Sequence, residues 1–215
     1  MAKSFLVIGL GRFGTSLACA LAEAGHYVLG VDRARDVVQA LAGRLTHVVQ
    51  LDAADEEALR SLDVSQFDAA VVGTASDFES SVLVTLLLKR LGARRIIARA
   101  LSETQKEVLS LVGADEVIQP EMDAGVHLAR RLVTPNILEY LTLGPGISVA
   151  EVQAPSFMAG KTLSELNIRR RYGVTVLVIK NSDRLVVLPG ADERIEQGDT
   201  LVVVGRDKDI ARLRG

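Results

Sequence analysis

A G-x-G-x-x-G string, Gly9-Leu10-Gly11-Arg12-Phe13-Gly14, lies between an apolar run at residues 5–9 and an amphipathic stretch at 15–24 that Gly25 stops. Few strings limit a fold so tightly. A strand must end at the first glycine and the chain must turn sharply. The second glycine lets the backbone approach phosphates at the start of a helix, whose free N–H groups face the anion. The third lets that helix pack closely on the strand. A second apolar run, 27–32, ends on Asp32, where a carboxylate accepts hydrogen bonds from both ribose hydroxyls of a nucleotide. Glycines alone would mark only a tight turn; with strand, helix and acid in place they predict a nucleotide-binding βαβ unit.

The alternation continues. Helical patterns at 34–42, 55–62, 78–91 and 103–112 alternate with apolar runs at 47–51, 69–73, 95–99 and 116–118. Repeated right-handed crossovers require a parallel sheet covered on both faces, so residues 1–122 are expected to form a doubly wound Rossmann domain. Past Pro120 the pattern reads as one long helix at 123–143, with Pro135 inside it, and the turn Gly144-Pro145-Gly146 reads as the joint to a second domain at 145–215. There, short strand patterns at 148–154, 175–180, 184–188 and 200–205, a helix at 163–172 and a terminal helix capped by Asp207 predict a small α+β module. The whole is an α/β chain with a small α+β domain behind it.

Composition narrows the function. A formal net charge of -2 and a pI near 6 leave no basic footprint for nucleic acid. Cys19, the single cysteine, excludes a disulfide framework and a thiolate metal site. The N-terminus does not read as a signal peptide, and no apolar run approaches the roughly 18 residues that cross a bilayer. A cytoplasmic protein is expected, with any membrane role exerted through a partner.

Further residues cluster at the expected carboxyl edge of the sheet. Asp52-Ala53 ends the third strand and would border the ribose or base, although Asp52 could equally cap the helix that follows. Thr74-Ala75-Ser76 ends the fourth strand on the same crevice. Arg33 could favour a 2′-phosphate, but the acid beside it argues against NADP. Arg12, inside the phosphate turn, is placed to reach terminal phosphates or a neighbouring subunit; a solvated arginine is the plainer alternative. His26, His47 and His127 accompany no nucleophile or zinc motif, and no second region supplies a proton donor over a nicotinamide. An enzyme is therefore not expected, although an oxidoreductase or NAD(H)-sensing regulator is the alternative.

Taken together, Val7 to Gly14, the Asp32 strand end, Asp77-Phe78-Glu79-Ser80-Ser81, the segment 113–121 ending in Pro120-Glu121, residues 160–169, Tyr172-Gly173 and residues 196–205 resemble the RCK family, regulators of potassium conductance, in its single-unit TrkA and KtrA form. The resemblance implies a cytosolic homo-oligomer, dimers assembled into an octameric ring, attached to the inner face of a potassium-translocating membrane protein. ATP or ADP, or NAD and NADH in some members, would sit in the first-domain crevice. By position Gly9, Gly11, Arg12 and Gly14 would hold phosphates, with Phe13 and Arg33 beside them; Asp32 would hold the ribose. Asp52, Ala53, Thr74, Ala75 and Ser76 would lie toward the base, and Arg99 would face the crevice. Glu121 would help hold Mg²⁺ or Ca²⁺ at a dimer interface. The helix at 123–143 would cross to a partner subunit. In the C-terminal domain Ile168, Arg169 and Tyr172 are candidates for a cyclic dinucleotide.

Overall fold

The computed structural model describes residues 2–74, 77–133 and 137–213. The chain divides into two compact units, Met1–Asp123 and Ala124–Gly215. The first runs β1 (Ser4–Ile8), α1 (Arg12–Glu23), β2 (Tyr27–Asp32), α2 (Arg35–Leu41), β3 (His47–Gln50), α3 (Glu56–Arg60), β4 (Ala69–Val72), α4 (Phe78–Arg90), β5 (Ile96–Arg99), α5 (Glu103–Leu111) and β6 (Glu116–Ile118), and contains the start of α6 (Pro120–Val133). Its six strands are parallel, in the order β3-β2-β1-β4-β5-β6. Successive β1 residues feed opposite cores. Leu6 and Ile8 pack with Leu59 and Leu88 on one face, and Val7 packs with Ala18 and Leu41 on the other. A strand buried on both faces must be apolar, as β1 is from Phe5 to Ile8.

The order reverses between β1 and β4, which opens a crevice beyond their carboxyl ends. Three glycines fix its floor. Gly9 turns with φ +84°, and a Cβ there would strike the Thr74 side chain; a Cβ on Gly14 would run into the Gly9 carbonyl oxygen, and one on Gly73 would come within 2.9 Å of the same atom. Gly11 has nothing within 4 Å of its missing Cβ.

The second unit holds β7 (Ile137–Gly144), β8 (Ile147–Gln153), α7 (Leu163–Leu166), α8 (Ile168–Tyr172), β9 (Thr175–Lys180), β10 (Leu185–Val187), β11 (Thr200–Arg206) and α9 (Asp207–Ile210). The strands form an antiparallel sheet in the order β10-β9-β11-β8-β7 over a core of Ile137, Met158, Leu166, Ile179, Ile195, Leu201 and Leu213.

Four expectations are corrected here. The long helix at 123–143 ends at Val133, and 137–144 is an edge strand paired with β8. Pro135 lacks the N–H a helix needs, while Leu138 and Leu141, three apart, imitate helical spacing in a strand whose register shifts near both ends. The turn Gly144-Pro145-Gly146 consequently joins β7 to β8 within one sheet instead of joining two domains, because Ile137 and Tyr140 already pack into the second core. The helix at 163–172 is two short ones, broken by Asn167 at φ +46°. Asp207 is the first residue of α9 and not its cap; its carboxylate accepts from the Ser148 hydroxyl at 2.8 Å.

Asp199, fully buried, ties the loops of this unit together. It accepts from the Glu196 N–H at 2.8 Å, from Arg184 Nη2 at 2.7 Å and from Asn181 Nδ2 at 2.8 Å. Burial alone would push its carboxyl up, but these donors together hold it below the ordinary aspartate value.

Two stability predictions follow from these contacts. Gly14→Ala should cost about 3 kcal/mol or more, since backbone must move, while Gly11→Ala should cost less than about 1 kcal/mol; urea midpoints compare them. Because folding depresses the Asp199 carboxyl, its stabilisation is complete above the unfolded value of about 4 and is lost as pH falls through the lower folded value. Asp199→Asn should remove that acid-dependent part of the melting temperature and cost on the order of 3 kcal/mol at neutral pH.

Candidate functional site

The crevice beyond β1 and β4 encloses about 610 Å³, within the range of small-molecule sites. The glycine turn and the first residues of α1 form one wall. Gly11 stands at the N-cap with no side-chain hydrogen bond, and the first turn carries no acid. The opening N–H groups of α1 thus lack a capping side chain, and Arg12 adds positive charge beside them. Such a terminus is suited to phosphate.

Asp32, at the end of β2, organises the turn as well as facing the cavity. Its Oδ2 accepts from the Leu10 N–H at 2.7 Å and its Oδ1 from the Ala34 N–H at 2.9 Å. An ionised carboxylate offers about four lone-pair sites, so two acceptor positions remain for ribose hydroxyls. Asp52 lines the same cavity. Its Oδ1 accepts from the Ala54 N–H at 3.0 Å, whereas Asp55 caps α3 through the N–H groups of Glu57 and Ala58. The capping role considered for Asp52 therefore belongs to Asp55.

Arg99, at the end of β5, is held on three sides. Its Nη1 donates to the Gly73 carbonyl at 3.3 Å, the guanidinium lies 5.6 Å from the Phe13 ring centroid, and Nη2 and Nε donate to Glu121. The Arg99 bonds hold the Glu121 carboxyl below its ordinary value. Glu121 is one exposed carboxylate, already occupied by a guanidinium, and among the described residues no three His, Cys, Asp or Glu side chains stand close enough together to hold a metal ion. A divalent cation that takes six or more oxygens finds no complete site among the described residues of a single chain.

The structure brings Gly9, Gly11, Arg12, Phe13, Asp32, Arg33, Asp52, Ala53, Thr74, Arg99 and Glu121 to one cavity. Gly14 lies behind it as a packing residue. Ala75 and Ser76 fall outside the described residues. Sequence reasoning used Asp77 only for the family resemblance and gave it no site role; it caps α4 through the Ser80 N–H and faces Arg33 across 3.7 Å. It likewise gave no site role to Ser81, a buried serine whose hydroxyl lies within hydrogen-bonding reach of the carbonyls of Thr74 and Asp77. An acid just ahead of the α4 pattern was the available signal for Asp77; a serine inside a helix gives none.

Comparison with known proteins agrees with this geometry. Residues 5–120 match the TrkA-N domain and 147–215 the TrkA-C domain. The chain is 40% identical over 213 residues to the Ktr system potassium uptake protein C of Bacillus subtilis, covering 99% of this chain and 96% of that protein. It is 34% identical over 209 residues to the Ktr system potassium uptake protein A of Vibrio alginolyticus, covering 97% and 95%. Among solved structures, the GsuK channel bound to NAD superposes with a TM-score of 0.66 at 21% identity, covering 99% of this chain and 39% of that one. GsuK bound to ADP superposes with a TM-score of 0.56 at 21% identity, covering 63% and 36%. At those identities the two structures establish the fold alone. One TrkA-N domain followed by one TrkA-C domain, with this identity over nearly the whole of the Ktr proteins, establishes that the chain belongs to the RCK family as a KtrA-type regulatory subunit.

Proposed function

We propose that the chain is a cytosolic nucleotide-binding subunit that controls a potassium-translocating membrane protein. The observation that carries this reading is the crevice: an uncapped helix N-terminus, an open glycine turn and a carboxylate with free acceptor positions converge on a cavity of nucleotide size. The Ktr proteins to which the chain is similar are potassium uptake proteins. No described helix is long and apolar enough to cross a membrane, and in this reading ion passage belongs to a separate membrane subunit.

The nucleotide would lie with its phosphates over Gly9, Gly11 and Arg12, its ribose on Asp32, and its base toward Asp52, Ala53 and Thr74. ATP and ADP are the preferred ligands in this reading. NAD is the alternative, since the similar GsuK fold is known bound to both NAD and ADP. A divalent cation at Glu121 would need phosphate oxygens and a second subunit to complete its coordination. The exposed apolar residues Met122, Val126, Leu128 and Leu132 suit α6 to pairing between copies, and dimers of this kind would build the octameric ring. A cyclic dinucleotide at Ile168, Arg169 and Tyr172 belongs to the same reading. Control requires only that the nucleotide bind two ring states unequally; a coupling of 1–3 kcal/mol is typical of such systems, and no bond need be broken.

Titration calorimetry of nucleotide-stripped protein with ATP, ADP, NAD and NADH, with and without Mg²⁺, tests the reading. We expect ATP or ADP to bind most tightly. Asp32→Ala should weaken them by about 2 kcal/mol, roughly thirtyfold, through loss of two charge-assisted hydrogen bonds. Because Asp32 also holds Leu10 and Ala34, its melting temperature must be read alongside. Absence of nucleotide binding, or tight binding of NADH alone with hydride exchange to a small substrate, would count against it.

A further inference from the structure

We propose that the Arg99–Glu121 pair counts phosphate charge, with Glu121 acting as an internal competitor that a nucleotide's phosphate chain must displace from Arg99. The inference rests on the nucleotide reading above and concerns what grades the affinity of that site.

The two partners are unlike in freedom. Arg99 has only 18% of its side chain exposed, and Phe13 and Gly73 hold it in the crevice wall. Gly73 packs against Gly9, so the guanidinium is anchored beside the turn where phosphates would lie. Glu121 has 59% of its side chain exposed and stands in the first turn of α6, with open solvent to swing into. A pinned cation therefore faces a movable anion. Carboxylate and phosphate both match a guanidinium's forked N–H edge, and the edge formed by Nε and Nη2 has room for one.

The charge around the cavity favours such competition. Three arginines, Arg12, Arg33 and Arg99, face four carboxylates, Asp32, Asp52, Asp77 and Glu121. With Glu121 on Arg99 the crevice offers phosphate little net attraction. Each added phosphate charge strengthens the claim on Arg99 and the repulsion of Glu121, so displacement should grow with phosphate number. Its effect would fall on the first turn of α6, the helix along which the chain passes from the first unit to the second.

The test is calorimetry on nucleotide-stripped full chain in EDTA, with adenosine, AMP, ADP and ATP. Glu121→Gln should tighten ATP about tenfold, ADP less and AMP less again, and leave adenosine within about twofold. Arg99→Gln should flatten the series, and the Glu121→Gln gain should vanish in the Arg99→Gln background, as coupled residues require. If the Arg99 variant folds poorly, the exposed Glu121 variant carries the test by itself. A Glu121→Gln change equal for all four ligands, or none, overturns the proposal while the nucleotide reading stands. Failure of the wild-type chain to bind any of them overturns both.

Discussion

Three segments of backbone meet at the carbonyl of Gly9, and the rest of the first unit is arranged around that meeting. Gly14 brings α1 against it, Gly73 brings the end of β4 against it, and neither approach leaves room for a Cβ. With side chains excluded there, the start of α1 lies directly over the reversal point of the sheet. The helix terminus, the Asp32 carboxylate and the Arg99 guanidinium then face one space. Asp32 completes the arrangement from the neighbouring strand by drawing in the Leu10 N–H. The geometry of the site is thus a consequence of packing, and its chemistry is added at the few positions where packing leaves an opening, Gly11 above all.

Each unit is organised by a carboxylate that accepts backbone hydrogen bonds, and the comparison separates an acid enclosed in its unit from one that borders the candidate site. Asp199 receives a backbone N–H, a guanidinium and an amide, and is closed to solvent. Its bonding capacity is largely used inside the unit. Asp32 receives two N–H groups and borders a cavity, so part of its capacity is left over. The difference is one of geometry: an acid at a strand end facing a crevice keeps acceptor positions that an acid enclosed by two loops gives up.

The parallel sheet was legible in the sequence because its strands are largely apolar and alternate with helical patterns; the six strands and their order of appearance follow from that. The glycine turn and Asp32 were legible because backbone chemistry at such a turn tolerates few alternatives. What escaped reading had a physical reason in each case. The register shift between Ile137 and Glu139 leaves Leu138 and Leu141 three residues apart, out of the two-residue period, so the strand was taken for helix. Asn167 breaks α7 from α8 through a left-handed conformation that its neighbours do not announce. Ser81 acts on carbonyls several residues away, and the Arg99–Glu121 contact joins positions far apart in the chain. Contacts of that kind depend on tertiary placement, which local pattern does not contain.

The irregularity of β7 bears on what can pair with the outer side of the second sheet. An outer strand presents unpaired backbone groups, and a straight one invites another sheet to join it, and then another, without end. Near both ends of β7 the register shifts, leaving an unbroken ladder only over 139–142. A strand added along that side would soon lose its partners. Breaks in register of this kind are among the ways sheets limit edge-to-edge pairing, and β7 carries one near each end.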